Sequence, residues 1–194
     1  MNLASISENR TIEKRVAITP EIAKKYINLD FNLSLQSGYG VHLGFKDSEY
    51  KDLGVNVLDD EKKILDDADI VVQLDLPADE KLINLKENKN LVGILNSFIN
   101  KEKLKNLKTK KINCFSLELL PRITRAQSMD ILSSQANLAG YKAVIEAFQI
   151  YEKAIPMMMT AAGTIPAAKV LIVGAGVAGL QAIATAKRMG AVVF

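Results

Sequence analysis

Short apolar runs alternate with segments of helical periodicity over residues 1–117. This alternation is typical of βα units that build a parallel sheet. The apolar runs predict strands at 3–6, 31–35, 55–58, 69–74, 91–95 and 112–117. The segments between them predict helices at 20–28, 47–54, 61–65, 79–85 and 101–107, with Thr19 and Asp47 as the N-caps of the first two. We therefore expect a first α/β domain with a doubly wound parallel sheet over residues 1–127.

One long helix is predicted after this domain. From 128 to 152 there is no proline, and apolar residues recur at helical spacing. The helix ends before Pro156, and a new βα unit follows, with a strand at 169–173, a helix at 180–189 and a further strand from 191. We expect a connecting helix over 128–155 and a second domain over 156–194. The predicted fold class is α/β, with two Rossmann-like doubly wound parallel-sheet domains, the second of them truncated in this chain.

Composition narrows the classes of function. The chain is 48% hydrophobic and 24% charged, which is typical of a globular protein and excludes collagen-like and disordered chains. A single cysteine and a single histidine argue against a disulfide framework, a metal site and a Ser-His-Asp hydrolase. A net charge of +3 without tryptophan gives little support for nucleic-acid binding, and the lysines of 101–111 are interpreted as a solvated helix face. Neither a secretory signal nor a membrane span is predicted, so we expect a soluble cytoplasmic chain without direct membrane insertion.

A glycine-rich segment joins the strand at 169–173 to the following helix. It has the GxGxxG spacing in the strand–turn–helix context that dinucleotide binding requires. The first glycine permits the tight turn, the second lets the backbone approach a pyrophosphate, and the third allows close helix packing. The predicted cofactor-binding residues are Gly174, Ala175, Gly176, Val177, Ala178 and Gly179. The alternative is a glycine-rich turn without a ligand. The ribose-binding acid is expected about 20 residues further on, past Phe194, so we expect a chain truncated within this domain.

A second polar segment, 121–141, lies between a predicted strand and the long helix. It is rich in side chains that form directional hydrogen bonds, and polar loops above a parallel sheet often carry ligand sites. Helix capping is the alternative, because Thr124 and Gln127 fit a capping box and Ser128 could serve as another cap. Capping explains one or two polar residues, but not the whole set.

The chain resembles a known family in four segments. They are residues 8–20 (ENRTIEKRVAITP), 121–130 (PRITRAQSMD), 137–141 (NLAGY) and 169–179 (KVLIVGAGVAG). They are similar to the NAD(H)-binding component of proton-translocating NAD(P) transhydrogenase, the alpha subunit or its N-terminal portion, within the alanine dehydrogenase/transhydrogenase superfamily. The resemblance covers the whole chain but about the N-terminal half of that component. The segment 121–130 is the most specific, because alanine dehydrogenases share the glycine motif without it.

The resemblance implies the roles of particular residues. In that family a loop carrying Arg, Gln, Asp and Ser approaches the nicotinamide ring, and the matching positions are Arg122, Gln127, Asp130 and Ser133. Arg122 would place a cation near the cofactor, Gln127 and Ser133 would orient the ring, and Asp130 would hold Arg122 or a hydroxyl. Hydride transfer between two nicotinamides needs proximity and orientation rather than an acid or base, which suits a site without histidine.

The resemblance also implies cofactors and partners. NAD(H) would bind to this chain and NADP(H) to a partner domain, and hydride transfer would be coupled to proton translocation. The NADP(H)-binding and membrane-spanning components would be the partners of a homodimer of this component, placed at the inner face of the bacterial plasma membrane. We expect the 194-residue chain alone to be inactive.

Two other functions remain open from the sequence. Alanine dehydrogenase is the nearest rival, and in that family Arg15 would hold the substrate carboxylate. Its catalytic lysine and histidine, however, correspond to Gln73 and Asn96 here, which argues against amino-acid oxidation. Arg15 could instead be a loop residue that pairs with a helix end. The third possibility is a truncated, non-catalytic product that serves only in dimerisation.

Three further features have structural interpretations. His42 lies in an apparent loop between glycines and is expected to be solvated. Cys114 has apolar neighbours in a predicted strand and is expected in the core. The methionines at 157–159 are expected to pack at the domain junction.

Overall fold

The computed structural model describes the whole chain, residues 1–194, and contains two compact units, Met1–Pro121 and Arg122–Phe194. The division falls before residue 127, where the sequence places the end of the first domain. The polar segment that begins at Arg122 is therefore part of the second unit. No helix in either unit combines the length and the apolar character needed to cross a bilayer.

The first unit is a six-stranded parallel sheet with helices between the strands. The strands are β1 (Asn2–Ser5), β2 (Asn32–Gln36), β3 (Asn56–Leu58), β4 (Ile70–Asp75), β5 (Asn90–Ile94) and β6 (Asn113–Ser116). The helices are α1 (Pro20–Ile27), α2 (Asp47–Asp52), α3 (Glu61–Asp67), α4 (Asp79–Leu82) and α5 (Lys101–Thr109), with 3₁₀ turns at Val41–Leu43 and Leu117–Leu119. All six predicted strands and five predicted helices are present. The strand order β3-β2-β1-β4-β5-β6 reverses direction at β1, which is the doubly wound topology.

Both faces of this sheet are covered by apolar side chains. Leu3 of β1 belongs to the cluster that includes Leu33 and Tyr50, whereas the next residue, Ala4, belongs to the opposite cluster with Val71 and Leu91. Alternation along one strand thus supplies two cores, as expected for a parallel sheet buried on both sides.

Local capping is confirmed at one helix and wrong at another. Thr19 caps α1, and its Oγ1 accepts a hydrogen bond from the Ile22 N–H. Asp47 is the first residue of α2 and not its cap, which is Lys46. The Asp47 carboxylate instead accepts hydrogen bonds from the Gly38 N–H and the Ser37 hydroxyl, so it stabilises the turn after β2.

The second unit is one βαβ unit preceded by a long helix and a hairpin. A 3₁₀ helix at Thr124–Met129 leads into α6 (Ile131–Ile150), followed by β7 (Met158–Thr160), β8 (Gly163–Ile165), β9 (Lys169–Val170), α7 (Val177–Arg188) and β10 (Val192–Val193). Strands β9 and β10 are parallel, and β7 and β8 form an antiparallel hairpin. Helix α6 packs along α7, with Val144, Ala182 and Ala186 buried between them.

Several expectations for individual residues are wrong. Cys114 is exposed, because β6 is an edge strand with little covering it. The methionines at 157–159 are 46–79% exposed on and beside the hairpin, which the sequence did not predict, so they are not core residues. The strand at 169–173 pairs only over Lys169–Val170.

Candidate functional site

The glycine-rich turn of the second unit has the backbone that its sequence predicts. Gly174 has φ +102°, a left-handed conformation that favours glycine and turns the chain from β9 toward α7. A Cβ at Gly179 would overlap the carbonyl of Gly174, so the first turn of α7 lies directly against the preceding loop. A Cβ at Gly176 would meet nothing within 4 Å. Gly176 is therefore not required by contacts within the chain, and the space beside its backbone is open to a ligand.

The start of α7 is suited to an anionic group. Gly176 is its N-cap residue and supplies no capping side chain, so N–H groups of the first turn remain without a side-chain partner. Such groups, together with the helix dipole, bind phosphate oxygens well. The helix also ends with two basic residues, Lys187 and Arg188, as expected for its negative end.

The polar segment forms the start of α6 rather than the capping box predicted from Thr124 and Gln127. Ile123 stands at the N-cap of the 3₁₀ helix, and no side chain caps it. Asp130 caps α6 instead, since its carboxylate accepts hydrogen bonds from the Ser133 N–H (2.9 Å) and the Ser133 hydroxyl (2.7 Å). These bonds, with a smaller effect of the Arg122 charge, hold the pKa of Asp130 below its usual value. The predicted contact of Asp130 with a hydroxyl is thus present, whereas a direct ion pair with Arg122 is not formed.

The other two predicted polar side chains are uncommitted. Gln127 and Arg122 are exposed, and their side chains form no hydrogen bond or ion pair within the chain. The amide and guanidinium groups can therefore reach a ligand without breaking a contact. Arg125, the second arginine of the segment, lines no cleft.

Two adjoining clefts bring the predicted residues together. The first, of about 620 Å³, is lined by Arg122, Gln127, Asp130, Ser133 and Val177 among others. The second, of about 370 Å³, shares Arg122, Ser133 and Val177 with the first and also contains four residues of the glycine-rich segment, Gly174, Gly176, Ala178 and Gly179. Ala175 is the one predicted cofactor-binding residue that lines neither cleft.

Three lining residues were missed in the sequence. Leu132, Ala136 and Val173 complete the wall of the smaller cleft. Leu132 and Ala136 are four residues apart and lie beside Ser133 on one face of α6, so the helical period could have identified them. Val173 immediately precedes the first glycine, and its 91% exposure is unusual for an apolar residue after a strand.

Residues that would serve an alanine dehydrogenase are committed to structural roles in the first unit. The Gln73 amide is buried, its Oε1 accepts from the Ser5 hydroxyl and the Ile6 N–H, and its Nε2 donates to the Ile6 carbonyl and to Glu8. Arg15 forms a bidentate pair with Glu13, with contacts of 2.9 and 2.6 Å, and this pairing lowers the pKa of Glu13. The helix-end pairing that the sequence allows for Arg15 is thus replaced by a pair within its own loop.

Two residues near this region behave differently from one another. His42 is exposed, as predicted, and its Nε2 lies 2.7 Å from the Lys14 carbonyl oxygen. Burial raises the pKa of the Glu8 carboxyl to about 7, although its Oε1 accepts a hydrogen bond from the Leu74 N–H. Nothing in the sequence around Glu8 indicated such a shift, because it depends on the contact of the β1 loop with the end of β4.

Comparison with known proteins places this geometry in context. The chain is 46% identical over 199 residues to the N-terminal of the separately encoded pieces of NAD(P) transhydrogenase subunit alpha from Rhodospirillum rubrum, a match covering 100% of this chain and 52% of the relative. It matches the crystal structure of transhydrogenase from Sinorhizobium meliloti with a TM-score of 0.91 and 43% identity, over 98% of this chain and 57% of that one. Alanine dehydrogenase of Halomonas elongata is 26% identical, over 98% of this chain and 52% of the relative.

The chain spans about half the length of the curated relatives it matches. Its residues 5–139 match the model described as alanine dehydrogenase/PNT, N-terminal domain, and residues 143–194 match the corresponding C-terminal domain. The chain therefore belongs to the alanine dehydrogenase/PNT family.

Proposed function

We propose that this chain is the NAD(H)-binding component of a proton-translocating NAD(P) transhydrogenase. The observation that carries the proposal is the pair of adjoining clefts, in which Arg122, Gln127, Asp130 and Ser133 meet the glycine-rich turn. The similarity to transhydrogenase subunits supports the same assignment, as does the lower similarity to alanine dehydrogenase.

The smaller cleft fits the pyrophosphate of a dinucleotide. Gly176 leaves its backbone accessible, and the uncapped N–H groups of α7 supply donors and partial positive charge. Arg122, which lines both clefts, adds a full positive charge between the phosphate position and the larger cleft. Donors and positive charge therefore surround the position where the negative charge would lie.

The larger cleft fits the nicotinamide end. Gln127 offers a carboxamide that can donate to and accept from the nicotinamide carboxamide, and the absence of side-chain partners in the chain leaves both functions available. Asp130 and Ser133 are fixed to each other at the start of α6, so they form a rigid wall. When NADH is bound, its dihydronicotinamide ring supplies the hydride. These side chains orient the ring and need not exchange a proton during transfer.

The acceptor and the partners follow from the same assignment. The chain contains one glycine-rich turn, so the second nucleotide, NADP(H), is bound by a partner component. We propose that the working enzyme joins a dimer of this component to NADP(H)-binding and membrane-spanning components. Through them the chain would lie at the inner face of the bacterial plasma membrane.

A titration of the ¹⁵N-labelled 194-residue chain with NADH tests the assignment. The amide NMR signals of residues 174–180 and 122–133 should shift together. Signals of the first unit, around Arg15 and Gln73, should stay in place, and they serve as the internal control. L-alanine should move neither group. NADH-dependent shifts confined to the first unit, or shifts around Gln73 on addition of alanine, would reject the proposal.

A further inference from the structure

A close contact between backbones lies behind the glycine-rich turn, at Gly140 in the middle of α6. Gly140 is buried, and a Cβ built on it would lie 2.8 Å from the carbonyl carbon and 3.0 Å from the Cα of Ala178, and nearer still to the Ala178 carbonyl oxygen. A methyl group at this position would overlap backbone and not a flexible side chain. The contact therefore requires glycine.

The helix itself gives no reason for a glycine here. Gly140 has an ordinary helical conformation and lies well inside a 20-residue helix. Glycine is less favourable than alanine in a helix interior, because it loses more conformational freedom on folding. What remains as the reason is the space that its missing side chain gives to Ala178.

Ala178 belongs to the proposed pyrophosphate site. It is the second residue of α7, and it lines the smaller cleft with Gly174 and Gly176. The next residue, Gly179, makes a similar close contact with the carbonyl of Gly174. The turn is thus fixed from two sides, by α6 behind Ala178 and by its own first glycine, while the side at Gly176 stays open.

One face of α6 connects this contact to the nicotinamide end. Ser133, Ala136, Gly140 and Val144 follow at intervals of three and four residues, so they form a single stripe along the helix. Ser133 and Ala136 line the smaller cleft, and Val144 is buried with Ala182 of α7. Ser133 and Gly140 are two helical turns apart, or roughly 10 Å along the axis.

We propose that Gly140 is a positioning residue of the dinucleotide site. By admitting the Ala178 carbonyl, it sets the distance between the pyrophosphate turn and the Asp130–Ser133 wall that faces the nicotinamide, with α6 acting as a rigid spacer. This inference rests on the proposed function, since it assigns a purpose to the spacing within that site.

The test compares Gly140→Ala with the wild-type chain by ¹⁵N NMR, first without ligand. The added methyl group should shift the amide signals of residues 174–180 and leave those of the first unit in place. The matched control is Ala139→Gly, which puts a glycine at the exposed neighbouring position and so weakens the helix without changing the contact with Ala178. The control should leave the signals of 174–180 at their wild-type positions.

NADH is then added to all three proteins. We expect Gly140→Ala to lower the affinity at least tenfold, so that NADH at the concentration that half-saturates the wild type leaves its signals almost unmoved. Ala139→Gly should bind as the wild type does. A wild-type chain without NADH-dependent shifts at 174–180 would reject the proposed function, while the ligand-free comparison would still decide the role of Gly140.

Three results would overturn the positioning role. One is an unchanged set of signals at 174–180 in Gly140→Ala, together with the higher thermal midpoint expected of Gly→Ala in an ordinary helix. Another is wild-type NADH affinity in that variant. The third is loss of dispersed signals throughout residues 122–194, because Gly140 would then be needed for packing of the whole unit and not for the turn.

Discussion

Gln127→Asn separates ring orientation from cofactor binding. The substitution keeps the carboxamide and withdraws it by about one carbon–carbon bond, or about 1.5 Å. Gln127 is exposed and its side chain has no partner in the chain, so its shortening removes no contact of the folded protein. The free energy of unfolding should therefore change by less than about 0.5 kcal/mol. Any effect on turnover then reports on the nicotinamide end of the cleft.

The size of the effect follows from the geometry of hydride transfer. A misplacement of about 1 Å can cost on the order of 100-fold in rate when reacting atoms must meet in one orientation. We expect hydride transfer to slow by about 10- to 100-fold, which corresponds to about 1.4–2.7 kcal/mol in the barrier. NADH affinity should fall less than about threefold, because the contacts at the glycine-rich turn are unchanged.

The measurement is single-turnover hydride transfer in the complete transhydrogenase, with its NADP(H)-binding and membrane-spanning partners, beside an equilibrium titration with NADH. Gln149→Asn is the matched control, since it makes the same chemical change at an exposed position of α6 outside both clefts. Equal losses of rate and affinity in Gln127→Asn would mean that Gln127 binds the ground state and the transition state alike. Wild-type rate and affinity would remove Gln127 from the site.

Three further outcomes are expected. Gly176→Val should abolish NADH binding without lowering the unfolding midpoint, because its side chain enters space that only a ligand would fill; a titration unchanged from wild type would refute this. The free energy of unfolding should fall as pH rises from about 4.5 to 7, because folded Glu8 keeps a proton that the unfolded chain has lost; the contribution is at most about 3 kcal/mol and is reduced by solvent screening, and Glu8→Gln should remove it in urea titrations across this range. The 194-residue chain alone should show no transhydrogenation and at most weak NADH binding, so stoichiometric micromolar binding would contradict this expectation.

The parallel sheet was predictable because its strands are local patterns. Each strand is a short apolar run between helical segments, and burial on both faces keeps that run continuous, as in β4 (Ile70–Asp75). The position of a strand within the sheet is not local. Cys114 has the apolar neighbours of a core strand, and only the strand order shows that β6 lies at the edge, where the thiol is exposed.

The candidate site was predictable in its residues and not in its contacts. The glycine spacing and the polar segment identified nearly all the groups that line the two clefts. The choice of cap depended on hydrogen bonds that similar residues could all make, and Asp130 formed them where Thr124 was expected to. The approach of Gly140 to Ala178 joins residues 38 positions apart, and no periodicity in the sequence reports it. The hairpin of β7 and β8 was not predicted because its side chains are all exposed and show no buried alternation.

The central place of β1 in the sheet has a consequence for synthesis of the protein. β1 precedes every other strand in the chain, yet it lies between β2 and β4, and its Ser5 reaches Gln73 across 68 positions. A ribosome adds about 5–20 residues per second, so β1 waits several seconds before β4 emerges and the sheet can close around it. During that interval its apolar residues depend on β2 and α1 alone for cover. Nascent chains stalled between residues 40 and 70 should therefore be the species most sensitive to protease and to chaperone binding.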